Sequence, residues 1–157
     1  MLLHGGDSLL ETIYSQVGAA ATILVVCFAF LKGDEPERIA AAAFALVVLT
    51  GTFIQEGAAQ GGPRWGWMAL DIVLLAVFIG IAWHTRRSWP VWATGFQGLI
   101  VTGHVLILAN LRPPAYAFAA VNNLANYGLL VAMAIGTFWA WQERKAARLA
   151  EQPGPHL

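Results

Sequence analysis

WGWMALDIVLLAVFIGIAWH, residues 65–84, carries a single acidic residue, Asp71, in an otherwise apolar or interfacial run. About 20 residues is the length at which an α-helix crosses the roughly 30 Å hydrocarbon layer of a bilayer, so the segment reads as a transmembrane helix. Comparable stretches lie on both sides of it, at 11–31, 39–55, 91–110 and 115–141. The 157 residues are 58% hydrophobic and 11% charged, with a mean hydropathy of +0.61. That leaves too little polar surface to wrap a core in water, and lipid is the expected solvent. The expectation is an all-α integral membrane bundle of five transmembrane helices.

Charge gives the orientation. Lys32, Arg38, Arg86, Arg87, Arg144, Lys145 and Arg148 fall on one side of the alternation, and only Arg64 and Arg112 on the other. Lysine and arginine favour the cytoplasm, which predicts an external N-terminus and a cytoplasmic C-terminus. Residues 1–152 then form one transmembrane domain, with the charged, alanine-rich segment 142–152 continuing the last helix into the cytoplasm and 153–157 as a short tail. The first ten residues hold Asp7 and no lysine or arginine, so the first stretch is expected to remain as a helix and not to be cleaved as a signal peptide.

Asp34 with Pro36, Ser88 with Pro90, and Pro113–Pro114 supply capping residues or first-turn prolines at three connections. Residues 57–63, rich in glycine, read as an external loop. The seven tryptophans, Trp65, Trp67, Trp83, Trp89, Trp92, Trp139 and Trp141, fall near helix ends, as expected of an aromatic belt at the headgroup level. Ala40–Ala43 mark a close approach between helices.

A net charge of zero and the lack of a basic run interleaved with aromatics argue against nucleic acid as a partner. The single cysteine, Cys27, excludes an intramolecular disulfide and a cysteine metal cluster within one chain. Serine-hydrolase, Walker and dinucleotide motifs are absent, as is the His-Glu-x-x-His zinc motif. His84 and His104 fall at opposite depths, which disfavours paired haem ligation. No cofactor, metal or enzymatic activity is expected.

With the helices placed by this topology, Glu56, Asp71, His104, Asn122 and Asn126 reach a similar depth in the outer half of the membrane. A carboxylate at the bilayer centre costs about 2.5–3.5 kcal/mol on insertion scales, so Asp71 should face protein or water. These residues form a candidate polar cluster. Gln97 and His104, seven residues apart, share one helix face with Thr94, and Asn122 and Asn126 share another. On the fifth helix Gly128, Ala132, Gly136 and Ala140 recur every four residues. Such a strip of small residues lets another backbone approach closely, within the chain or in another subunit.

The segment RRSWPVWATGFQ, residues 86–97, followed by Thr102 and His104, resembles a group of small alphaproteobacterial polytopic inner-membrane proteins. The resemblance covers the third to fifth helices and implies a bacterial inner membrane without implying an activity. PRWGW, residues 63–67, is similar to the proline and tryptophan loop of the tryptophan-rich sensory, or translocator, proteins, which bind porphyrins and sterols. The dense Trp-x-Pro-Pro and Trp-Asn-x-x-Trp patterns of that family are missing, and its ligands are not transferred.

Two functions fit the sequence. The first is a non-enzymatic accessory or scaffold subunit of a bacterial inner-membrane assembly, in contact with lipid and with other subunits or its own copies. The alternative is a small-molecule-binding or proton-coupled membrane protein with a periplasm-facing polar cavity.

Overall fold

Punctuation between the apolar stretches decides where each helix begins. In the computed structural model the elements are α1 (His4–Lys32), α2 (Glu35–Gln55), α3 (Trp65–Thr85), α4 (Trp89–Leu108) and α5 (Ala115–Ala150). Residues 4–55, 65–109, 111 and 114–151 are described, with side chains described for 16–51, 53, 65–109, 111, 114 and 116–151. Glu56, the connection 57–63, Arg64, Arg112, Pro113 and the tail 153–157 lie outside the described residues.

α2 starts at Glu35, four residues before its apolar run, because Asp34 precedes it as a cap. The Glu37 carboxylate accepts the Asp34 backbone N–H at 2.9 Å, the reciprocal half of a capping box. The turn is tight: a Cβ on Gly33 would run into the Ala29 carbonyl and reach 2.7 Å from Glu37 Cβ. α3 ends at Thr85, and the next residue, Arg86, has a φ of 51°, the one positive value at a non-glycine residue among the described residues. That left-handed residue reverses the chain within three residues, and Pro90 then sits in the first turn of α4, where its missing N–H costs nothing. α1 begins at His4, earlier than the apolar pattern alone suggests, and α5 runs through the charged segment to Ala150.

The helices form a closed ring. Each packs against its neighbours in sequence, α1 also against α5, and α2 reaches across to α5, whereas among the described residues the α3 and α5 backbones are not adjacent. Gly51 of α2 faces Trp67 of α3, and Gly128 and Gly136 of α5 face Phe96 and Trp89 of α4, so consecutive helices run antiparallel. The closing pair differs. Gly18 lies by the Tyr127 hydroxyl and Lys32 over the Trp141 ring, so α1 and α5 run parallel. With this alternation all seven described lysines and arginines gather at one end of the bundle.

The core is narrow. Ala40, Ala41 and Phe44 of α2 meet Leu74 and Phe78 of α3, Trp89 and Ala93 of α4, and Leu129 and Met133 of α5. Outside it, Leu24, Leu31, Phe53, Trp83 and Leu124 are exposed, an extent of apolar surface that a water-soluble monomer does not present. Among the described residues α3, α4 and Tyr116–Ala150 of α5 are long and apolar enough to cross a membrane, and Gln16–Lys32 of α1 is a shorter apolar helix. At about 1.5 Å per residue the 36 residues of α5 exceed the hydrocarbon thickness, and the charged end projects beyond the ring.

Candidate functional site

The polar residues divide between the two ends of the bundle. At the end away from the arginines, Asp71 of α3 is nearly buried, at 9% exposure, and is engaged by two residues of α4. His104 Nε2 lies 2.9 Å from one carboxylate oxygen. The Gln97 amide donates to the other at 2.9 Å and to the Asp71 carbonyl at 3.2 Å. An ionised carboxylate only accepts, so in that form Asp71 holds the proton on His104 Nε2. Gln97 and His104 lie about two turns apart on one face of α4, and the face meets α3.

The asparagines do not join this group. Asn126 donates to the Asn122 carbonyl at 2.9 Å on its own helix, and among the described residues the α5 backbone is not adjacent to that of α3. The single cluster expected from their common depth is therefore a pair-wise lock between α3 and α4, with the asparagines elsewhere at the same level. Glu56 lies outside the described residues. Thr94 and Thr137, aligned with the two polar stripes, donate to carbonyls one turn earlier in their own helices. Among the described residues no group of three or more His, Cys, Asp or Glu is placed to hold a metal ion.

The strip of small residues on α5 is occupied by the chain itself. A Cβ on Gly128 would lie 2.6 Å from the Phe96 ring, and one on Gly136 would collide with the Trp89 indole. Ala132 is buried and Ala140 fully so.

At the basic end stands a second polar group that the sequence reading missed. Glu37 is 1% exposed and accepts from Arg87 Nη1 at 2.9 Å and from Trp89 Nε1 at 2.8 Å, as well as from the Asp34 backbone. Arg87 also pairs with Asp34 at 2.9 Å and Glu143 at 3.5 Å. Arg144 holds Asp34 at 3.1 Å and donates to the Lys32 carbonyl. Burial alone would lower the Arg87 pKa, but the hydrogen bond to Asp34 and the charge of Glu37 outweigh it and hold the guanidinium above its ordinary value. The network ties the α1–α2 turn, the α3–α4 turn and α5 together.

Trp89 corrects the aromatic-belt expectation. It is buried, and its N–H is spent on Glu37 and not on the headgroup layer, whereas Trp65, Trp83, Trp92 and Trp139 remain exposed. The spacing Asp34-x-x-Glu37 was the available signal for the cap. Nothing local linked it to Arg87 or Trp89.

Between α4 and α5, starting at this end, runs a groove of about 790 Å³. Phe96, Tyr127, Trp92 and Trp139 line it with the exposed Leu124, Val131 and Ile135, beside the small-residue strip that Phe96 and Trp89 cover, and Arg86, Arg87, Ser88 and Glu143 line its basic end. Both its volume and its make-up, mainly apolar and aromatic with a few polar groups, match those of small-molecule sites. Against known proteins, the chain matches no protein-family model, no curated protein and no solved structure.

Proposed function

We propose that the chain is a five-crossing protein of the bacterial inner membrane, with its N-terminus outside and its C-terminus in the cytoplasm, that binds an amphipathic small molecule between α4 and α5 without transforming it. The observation that carries this reading is the groove of about 790 Å³ with its aromatic walls and polar mouth. The clustering of the described basic residues at one end supports the orientation. The proposed binding site opens toward the cytoplasmic end instead of the periplasmic one, because Asp71, Gln97 and His104 are engaged with one another whereas Arg86 and Ser88 line the basic end of the groove.

The test is native mass spectrometry of the protein extracted in mild detergent. A small-molecule adduct is expected on the unmodified chain and is expected to disappear in Val131→Trp or Ile135→Trp, which fill the groove from partly exposed positions and leave the core intact. An adduct insensitive to both substitutions, or none at all from the native membrane, overturns the reading.

The accessory-subunit reading draws on a separate observation. Beyond the network at Arg144, the last turns of α5 are mostly exposed and carry Lys145 and Arg148, a surface suited to a cytoplasmic partner. Co-purification of one stoichiometric protein, lost when 145–157 are removed, would favour it. Extraction of the chain without any stoichiometric partner would count against it.

A further inference from the structure

The mouth of the α4–α5 groove is rich in donors. Arg87 is already matched by Asp34, Glu37 and Glu143. Arg86, by contrast, lines the groove, is exposed and has no ion-pair partner among the described residues. Its left-handed backbone, φ 51°, places it at the apex of the α3–α4 turn. Ser88 makes no capping hydrogen bond, and the exposed indoles of Trp92 and Trp139 bring two further N–H donors to the same end. The one carboxylate at the mouth, Glu143, is already turned to Arg87 at 3.5 Å. A cationic headgroup would meet Arg86 with no free carboxylate to offset it, whereas an anionic one supplies the charge that Arg86 lacks.

The apolar part is long. From Leu124 to Trp139 it follows α5 for about 22 Å at 1.5 Å per residue, most of the roughly 30 Å hydrocarbon layer. Such a shape suits an extended chain lying along a helix better than a compact ring system. Basic pockets between helices on the cytoplasmic side are where anionic lipid headgroups are held.

We infer that the occupant of the groove is an anionic lipid, with an acyl chain laid along the exposed Leu124, Val131 and Ile135 and its phosphate met by Arg86, Ser88 and the indole N–H groups. This inference rests on the proposed function, since it names the ligand class of the same groove.

Binding is measured by native mass spectrometry and thermal shift on the full chain in a neutral detergent. The added molecules are phosphatidylglycerol, diacylglycerol of the same chains, phosphatidylcholine, and glycerol 3-phosphate. Phosphatidylglycerol is expected to bind at least tenfold more tightly than diacylglycerol or phosphatidylcholine, and glycerol 3-phosphate alone is expected to give no shift. Arg86→Asn, which tolerates the left-handed backbone, should reduce phosphatidylglycerol to the diacylglycerol level, and Arg86→Lys should retain most of the affinity. Equal binding of diacylglycerol and phosphatidylglycerol, both lost in Val131→Trp, would overturn the headgroup assignment while leaving the amphiphile reading in place. Binding of glycerol 3-phosphate as strong as that of the lipid would make this a free-anion site and overturn the lipid assignment. Lipid binding unchanged in Val131→Trp would mark a general lipid annulus and defeat both.

Discussion

Replacing Glu37 with glutamine changes one heavy atom in a buried carboxylate to which three groups donate. The Oε1 position, which receives Arg87 and Trp89, can be kept by the amide oxygen. The Oε2 position cannot, because there an NH2 group would face the Asp34 backbone N–H that it now accepts at 2.9 Å. One hydrogen bond is replaced by two opposed donors at a site that is 1% exposed, and an unsatisfied buried donor costs about 1–3 kcal/mol. Arg87 loses its most buried counter-charge at the same time. Breaking one side of a buried ion pair costs about 3–5 kcal/mol; Arg87 is 30% exposed and keeps Asp34, so the lower part of that range, about 3 kcal/mol, is expected. Glu35→Gln on the exposed side of the same turn should stay within about 0.5 kcal/mol. Unfolding in mixed micelles, followed by the fluorescence of the seven tryptophans, compares the two. Equal stabilities for Glu37→Gln and Glu35→Gln would refute the network as a structural tie. A double replacement, Glu37→Leu with Arg87→Met, should recover part of the loss relative to the sum of the single changes, since no uncompensated charge then remains between them.

Gly136→Leu and Gly128→Leu drive side chains into Trp89 and Phe96 and should each destabilise by about 1–3 kcal/mol or more; Ala134→Leu, off that strip, should cost less, and equal losses in detergent stability would count against the α4–α5 fit. Asp71→Asn can satisfy Gln97 or a donating His104 with its single oxygen but not both, so a loss of about 1–3 kcal/mol is expected, measured against a silent change at Asn123, which is exposed. The raised pKa of Arg87 means that the stability this group contributes is fully present below the ordinary arginine value and is lost only as pH climbs through the still higher folded value. Unfolding free energies of the parent and Arg87→Met should therefore differ by a constant amount from pH 7 to pH 9; a difference that shrinks over that interval would contradict the assignment.

Sequence reading caught what depends on depth and on single helices. Asp71 and His104 were paired by their level in the membrane, because a charged or titratable group there must find a partner or water, and Gln97 was on the correct face. The error over Asn122 and Asn126 came from the order of helices around the ring, which periodicity does not encode. Among the described residues the backbones of α3 and α5 are not adjacent. Likewise the four-residue repeat of Gly128, Ala132 and Gly136 was visible, but the rings that sit on it come from α4, across a turn. Glu37 escaped because a charge beside a connection reads as solvated, and its partner Arg87 lies 50 residues away.

The parallel contact of α1 with α5 also sets an order of assembly. Every other adjacent pair in the ring is consecutive in sequence and can dock as soon as its second member is synthesised. α1 leaves the ribosome first, yet the helix that flanks it on its far side is made last, after residues 33–114. Until then one flank of α1 lacks its neighbour, and the ring stays open as a crescent. Gly18 beside Tyr127 begins the closure and Arg144 and Trp141, which reach back to Lys32, complete it as the clasp, so a chain stalled before α5 would remain an unclosed arc.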